Sequence, residues 1–320
     1  MSLLDPYSCR PIAGDAAEAL KAFRANGAAS FHTLGVEQAR TQYEAACAAN
    51  GVPRENLARV EDFRVADRFD VRLYVPADAM DGRVILFLHG GGWVFGSLDS
   101  HDGLCRRLAA RSGAAVVAVD YRLAPEHAYP AAIDDAHSAL AWLINVESPH
   151  GLRADSIVVA GDSAGGNLAA VLTNEVVTHM PEVPLVGQVL LYPVTDLTMS
   201  RESHRRITHG FPLVADTMEW FIEQYVANDV DVARADISPL LNTIPDGMPP
   251  TIIVTVGHDP LADEGIDYAA ALSRHGVQVM HLHEARYAHG LFTSAGELQR
   301  GQVILDTIAA ELDTGVFPAA

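Results

Sequence analysis

Six nearly continuous apolar runs recur along this 320-residue chain: Val84–Leu88, Ala115–Val119, Ile157–Ala160, Val186–Leu191, Ile252–Val256 and Val277–Leu282. A strand that is apolar on both faces has no side to give to water, so it must lie in a sheet covered by helices above and below. Stretches with helical spacing fall between the runs, near 101–112, 131–145, 164–180, 263–275 and 295–313. This alternation predicts an open, doubly wound α/β sheet of mostly parallel strands. Residues 63–75 alternate apolar and polar instead, as an antiparallel edge pair would. Ligand sites in such sheets form beyond the carboxyl ends of the strands, so the residues just after each run carry the chemistry.

Two regions stand outside the alternation. Residues 14–50 are alanine-rich with helical spacing (Ala19, Leu20, Phe23; Val36, Ala39, Tyr43, Ala46), which predicts two helices. Residues 196–248 show no strand pattern but hold Phe211, Leu213, Met218, Trp220, Phe221 and Tyr225. An insertion of that length is seldom structureless, so it is expected to be helical. The expected organisation is a catalytic domain over 51–195 and 249–320. Residues 1–50 contribute helices to a cap, and 196–248 form its insertion.

Charge narrows the partners. Lys plus Arg number 22 against 41 Asp plus Glu, a formal net charge of −19. Such a surface repels nucleic acid and anionic membranes and suits neutral or cationic small molecules. Cys9, Cys47 and Cys105 are too few and scattered for a disulfide framework or a thiolate metal site. The opening MSLLDPYSCRP lacks a basic stretch followed by a long apolar core, and no run has the length of a membrane span. These features predict a soluble, cytoplasmic protein.

The run Ile157–Ala160 leads into GDSAGGNLAA at 161–170, where Gly161 and Gly165 flank Ser163 as G-x-S-x-G before a helix. Strand, sharp turn and helix in that order form a nucleophile elbow, with the serine held at the strand end and helix amides aimed at developing negative charge. The run Val84–Leu88 ends in His89-Gly90-Gly91-Gly92-Trp93. Consecutive glycines let backbone amides turn inward to hold an oxyanion, and the expected donors are Gly90, Gly91 and Ala164. A phosphate loop is the competing reading, but no Gly-Lys-Ser/Thr follows. His89 is read as a structural hydrogen-bonding residue.

For the acid, Ile252–Val256 runs into Gly257-His258-Asp259-Pro260, with Asp259 first among the carboxylates after the strand. Asp263 and Glu264 fall where a helix begins and are read as favouring its N-terminus. Asp196, after Leu191-Tyr192-Pro193, is a rival acid. His281 and His283 alternate in a strand and are read as packing, since no cysteine or third ligand supports a metal. His289 lies after the last strand and is the expected base.

Four motifs, HGGGW at 89–93, YRLAPEH at 121–127, GDSAGGNLAA at 161–170 and DPLADEG at 259–265, resemble in order the hormone-sensitive-lipase-like branch (bacterial family IV) of α/β-hydrolase esterases. The resemblance covers most of residues 60–313. It implies the α/β-hydrolase fold, an eight-stranded sheet with a helical cap, and hydrolysis of small-molecule carboxylic esters. It also implies a Ser163–Asp259–His289 triad, an oxyanion hole at Gly90, Gly91 and Ala164, no cofactor or metal, and a homodimer through the last strand or helix. Leu291 departs from the phenylalanine common at that place in the family. Asp162, Tyr121, Arg122, Pro125, Glu126 and His127 are read as loop supports.

Trp93, Phe95, Tyr192, Phe211, Leu213 and Trp220, together with Phe221, are candidate walls of a pocket for short- to medium-chain esters. Two other readings share these motifs. One is an amidase or formamidase using the same triad. The other is a non-catalytic receptor resembling the plant gibberellin receptors, which lose the histidine that His289 supplies here.

Overall fold

The apolar runs become strands of a single sheet in this computed structural model, which describes residues 10–25, 30–80, 82–145, 151–227, 229–314 and 317. The strands are β1 (Arg59–Val65), β2 (Phe69–Val75), β3 (Arg83–Leu88), β4 (Ala115–Asp120), β5 (Ser156–Asp162), β6 (Leu185–Leu191), β7 (Thr251–His258) and β8 (Val279–Ala288). They lie in the order β1-β2-β4-β3-β5-β6-β7-β8. β2 runs antiparallel to β1 and β4, and the remaining pairs are parallel. The expected α/β-hydrolase fold and eight-stranded sheet are therefore present.

Nine helices accompany the sheet among the described residues: α1 (Gly14–Ala25), α2 (Val36–Asn50), α3 (Asp102–Ser112), α4 (Ala131–Ile144), α5 (Ala164–His179), α6 (Glu202–Arg206), α7 (Ala215–Tyr225), α8 (Ala262–Arg274) and α9 (Gln299–Thr314). The period of two along each strand divides the core into two layers. Val84, Leu86 and Leu88 of β3 belong to the layer that includes α4, α5 and α8, whereas Ile85 and Phe87 belong to the layer of α3 and α9. These strand side chains are almost wholly buried, and each contributes about 1.5–3 kcal/mol.

Two expectations shift. β8 starts later than its apolar run and continues to Ala288, because residues past Leu282 go on pairing with β7 as far as His258. The insertion 196–248 is less helical than predicted: beyond α6 and α7 it holds only the short 3₁₀ turn Pro239–Leu241 among its described residues. Side chains replace the missing backbone ladder. Asn167 Nδ2 donates to Ile237 O at 2.8 Å, and Ser238 Oγ donates to Val232 O at 2.7 Å.

No helix among the described residues is long and apolar enough to cross a membrane. Cys47 and Cys105 are buried free thiols. Cys9 and the rest of residues 1–9 lie outside the described residues.

Candidate active site

Ser163 occupies the turn between β5 and α5 with φ 54° and ψ −118°, a left-handed conformation that non-glycine residues seldom adopt. Its glycine neighbours are required by space. A Cβ on Gly161 would come within 2.3 Å of Gly165 O, and one on Gly165 within 2.0 Å of Leu88 O. Ser163 N donates to Leu191 O at 2.8 Å, fixing the elbow to the neighbouring strand.

The last two strands deliver the other partners. His258 pairs with Ala288 after a register shift in the β7–β8 ladder. The next residue of each strand, Asp259 and His289, therefore emerges beside the other. His289 Nδ1 lies 2.7 Å from Asp259 Oδ2, and its Nε2 lies 3.0 Å from Ser163 Oγ. Asp259 is fully buried, and its Oδ1 accepts Leu261 N–H at 2.9 Å. The Tyr192 ring packs 4.2 Å from the His289 ring, centroid to centroid. The structure thus brings Ser163, Asp259 and His289 together.

The glycine loop differs from expectation by one residue. Gly90 N–H donates to Asp162 Oδ1 at 2.7 Å, so it is not free to hold an oxyanion. Among the described residues, the N–H groups of Gly91, Gly92 and Ala164 have no protein acceptor. Gly91 and Gly92 line the same cavity as Ser163. Asp162 also lies 3.0 Å from His101 Nε2. Burial pushes its carboxyl up, but His101 and the Gly90 amide outweigh that and hold it below the usual carboxylate range.

His89 has the structural place expected of it. Its ring stacks on Tyr121 at 4.2 Å and 14°, and Nδ1–H donates to Gly90 O at 2.8 Å. Burial pulls it down to about 3, with His101 nearby adding to the effect. Tyr121 OH donates to His89 O at 2.7 Å. Arg122 grips Asp135 through both carboxylate oxygens at 2.8 and 2.9 Å. Glu126 pairs with Arg40 of α2 at 2.7 Å, and His127 N donates to Leu123 O at 2.9 Å in the turn containing Pro125.

Asp196 stands apart from His289. It accepts Thr198 N–H at 2.9 Å and Ser200 Oγ–H at 3.0 Å. Asp263 lies in the first turn of α8, as expected, and also accepts Ser203 N–H of α6 at 2.8 Å. Glu264 is fully buried, where it accepts Thr195 N–H at 2.6 Å and Asp196 N–H at 3.2 Å. His281 Nε2 and His283 Nδ1 both reach Thr255 Oγ1 at 2.8 Å. No group of three or more His, Cys, Asp or Glu among the described residues could hold a metal ion.

A cavity of about 140 Å³ opens onto Ser163 and His289. Of the candidate walls, Phe95, Tyr192 and Leu213 line it, joined by Phe221. Trp93, Phe211 and Trp220 do not. Trp93 is wholly buried and stacks on Tyr225 at 4.3 Å, because its left-handed backbone (φ 60°) turns the indole into the core. Phe211 stacks on His258 at 5.2 Å, with Arg24 over its ring. Trp220 lies behind Phe221 at 5.3 Å. Sequence reasoning missed Phe31, Tyr43, Ala46, Cys47 and Thr293 as walls. Tyr43, Ala46 and Cys47 follow the i, i+3, i+4 spacing of one helix face, a signal that was present in α2.

Comparison with known proteins agrees with this fold. Residues 85–293 match the family described by the alpha/beta hydrolase fold. An ethyl acetate hydrolase of Pseudomonas putida is 39% identical over 78% of this chain and 80% of its own. The esterase LipI of Mycobacterium tuberculosis is 39% identical over 74% of this chain and 76% of its own. The crystal structure of an esterase from Pyrobaculum calidifontis superposes with a TM-score of 0.85 at 35% identity, covering 95% of this chain and 99% of that one. This chain belongs to the α/β-hydrolase family, in its hormone-sensitive-lipase-like esterase branch.

Proposed function

We propose that the protein is a serine carboxylesterase acting on small esters through an acyl-enzyme. The observation that carries this reading is the hydrogen-bonded chain from Ser163 Oγ through His289 to Asp259, at 3.0 and 2.7 Å, at the base of an apolar cavity. His289 takes the serine proton as Oγ attacks the ester carbonyl, while Asp259 holds the imidazole in the required tautomer. The amides of Gly91, Gly92 and Ala164 receive the oxyanion, with Gly90 occupied by Asp162. His289 returns its proton to the departing alcohol and then activates water, which releases the acid. No cofactor takes part in this scheme. The esterase names of the relatives support it.

The cavity favours the short end of the substrate range. An apolar space of about 150 Å³ holds a benzene-sized group, so about 140 Å³ suits acyl groups of similar bulk. In this reading 51–195 and 249–320 form the catalytic body, and residues up to 50 with 196–248 form the cap. Walls from both cap regions, Phe31 and Tyr43 on one side and Leu213 and Phe221 on the other, support that division. A cytoplasmic location fits the free thiols of Cys47 and Cys105. A homodimer would use β8, the last strand of the sheet, and α9, where Val303 is exposed.

Incubation with 4-nitrophenyl acetate and, separately, a fluorophosphonate probe tests the activity. The expected result is rapid release of nitrophenolate and one label on Ser163. A purified, folded protein that does neither contradicts the reading.

A further inference from the structure

A second cavity of about 570 Å³ adjoins the catalytic one and is not used by the chemistry above. Cys47 and Thr293 line both spaces. Helix geometry explains why. Tyr43, Ala46 and Cys47 of α2 face the catalytic cavity, while Glu44, Cys47 and Ala48 face the second one. These are neighbouring i, i+3, i+4 stripes of one helix, and Cys47 is the residue they share. Its buried thiol, hydrogen-bonded to the Tyr43 hydroxyl, is pushed up to about 12 by burial and so stays neutral.

The two spaces differ in character. The catalytic cavity is walled largely by Phe31, Tyr43, Phe95, Leu213 and Phe221. The second presents Glu44, Arg54, Asp99 and His101. Most of these charges are already matched: Arg54 pairs with Asp102 at 2.8 Å, and Asp99 with Arg72 at 2.8 Å. Glu44 is half-buried, hydrogen-bonded to Ser97 and faced by His101 and Asp99, and among the described residues it has no Arg or Lys partner. A half-buried carboxylate that has no Arg or Lys partner, in a chain of net charge −19, attracts an ammonium group.

We propose that this chamber is a subsite for the ammonium-ended arm of an ester whose carbonyl sits on Ser163, with Cys47 as the partition that sets how far such an arm reaches. The inference rests on the esterase reading of the catalytic cavity. Thr293 is the other half of the partition, but its Oγ1 donates to Gly290 O at 3.1 Å beside the base, which ties it to the His289 loop. Cys47 is therefore the residue whose size decides specificity.

The test compares three 4-nitrophenyl esters, the acetate, the heptanoate and the 6-aminohexanoate, on the unaltered protein, Cys47→Ala and Cys47→Ala/Glu44→Gln. The last two esters have arms of equal length, one apolar and one cationic. In Cys47→Ala the ratio of kcat/KM for aminohexanoate over acetate rises by about tenfold, the size of one charge-assisted contact. The heptanoate ratio rises far less, and Glu44→Gln removes most of the gain for the amine. Unchanged ratios in folded Cys47→Ala, or an equal gain for heptanoate, overturn the proposal. Should Cys47→Ala fail to fold, Thr293→Ser thins the same partition, keeps the bond to Gly290, and must show the same direction. Fluorophosphonate labelling separates the two levels. A labelled, acetate-hydrolysing protein with unchanged ratios overturns only the subsite, whereas an unlabelled protein inert to all three esters overturns the esterase reading and the subsite with it.

Discussion

Gly90 N–H donates to Asp162 Oδ1 at 2.7 Å, which ties the glycine loop to the residue preceding the nucleophile. The contact spans 72 positions of sequence and sets the loop against the β5 strand end. It occupies the Gly90 N–H, which is why the proposed scheme takes Gly91, Gly92 and Ala164 as the oxyanion donors. Asp162→Asn keeps an acceptor for Gly90, whereas Asp162→Ala removes it. Steady-state kinetics should show Asp162→Ala losing about 10²-fold in kcat, the cost of misplacing a reacting group by about an ångström. Asp162→Asn should lose much less. Equal losses in the two variants would show that the acceptor is not what matters.

Gly92 has φ +59°, and a Cβ there would come within 2.3 Å of the Phe221 ring. Gly92→Ala should therefore displace the donor and lower kcat by about 10²–10³, as for loss of one oxyanion contact. Adding Phe221→Ala should recover part of the loss. Without recovery, the effect would not arise from contact with that ring.

His89 supplies a pH prediction. Its folded value, about 3, lies below its ordinary value of 6.5, so the unfolded chain binds this proton more readily. The stability contributed by neutral His89 is complete above pH 6.5 and is lost progressively as pH falls toward about 3. His89→Asn keeps a donor for Gly90 O but does not titrate. Melting curves between pH 7 and 4 should show the unaltered protein losing more stability than this variant. Parallel curves would contradict the assignment.

Trp93 and Leu213 separate core from pocket wall. Trp93→Ala should cost about 3–5 kcal/mol in urea unfolding, as other buried aromatics do, without changing the preference among acyl lengths. Leu213→Ala should shift that preference toward longer acyl groups, because Leu213 lines the cavity. An acyl-length series on both variants checks the pair, and a shifted preference in Trp93→Ala would put the indole back at the substrate.

The sequence made some of this legible for physical reasons. Ser163 could be read because its strand, its two crowded glycines and its helix are contiguous, and Asp259 and His289 because each is the first residue after its strand, β7 and β8. Gly90 was expected to be a free donor because the residue that occupies its N–H, Asp162, belongs to a different strand. The cavity walls were harder still. Trp93 and Phe95 are two positions apart in one loop, yet one is core and the other wall, a distinction set by the Trp93 backbone and by α2 packing across the loop. Periodicity reports which face of a helix is apolar, not what that face meets.

The most direct measurement is kcat/KM for 4-nitrophenyl acetate in Ser163→Ala and His289→Ala, each alone and together, with folding checked by circular dichroism. If the three side chains act as a unit, each single variant loses at least about 10⁴-fold and the double variant loses little more, since groups acting in one step are strongly non-additive. A folded Ser163→Ala protein within tenfold of the unaltered rate, or losses that multiply in the double variant, would contradict it.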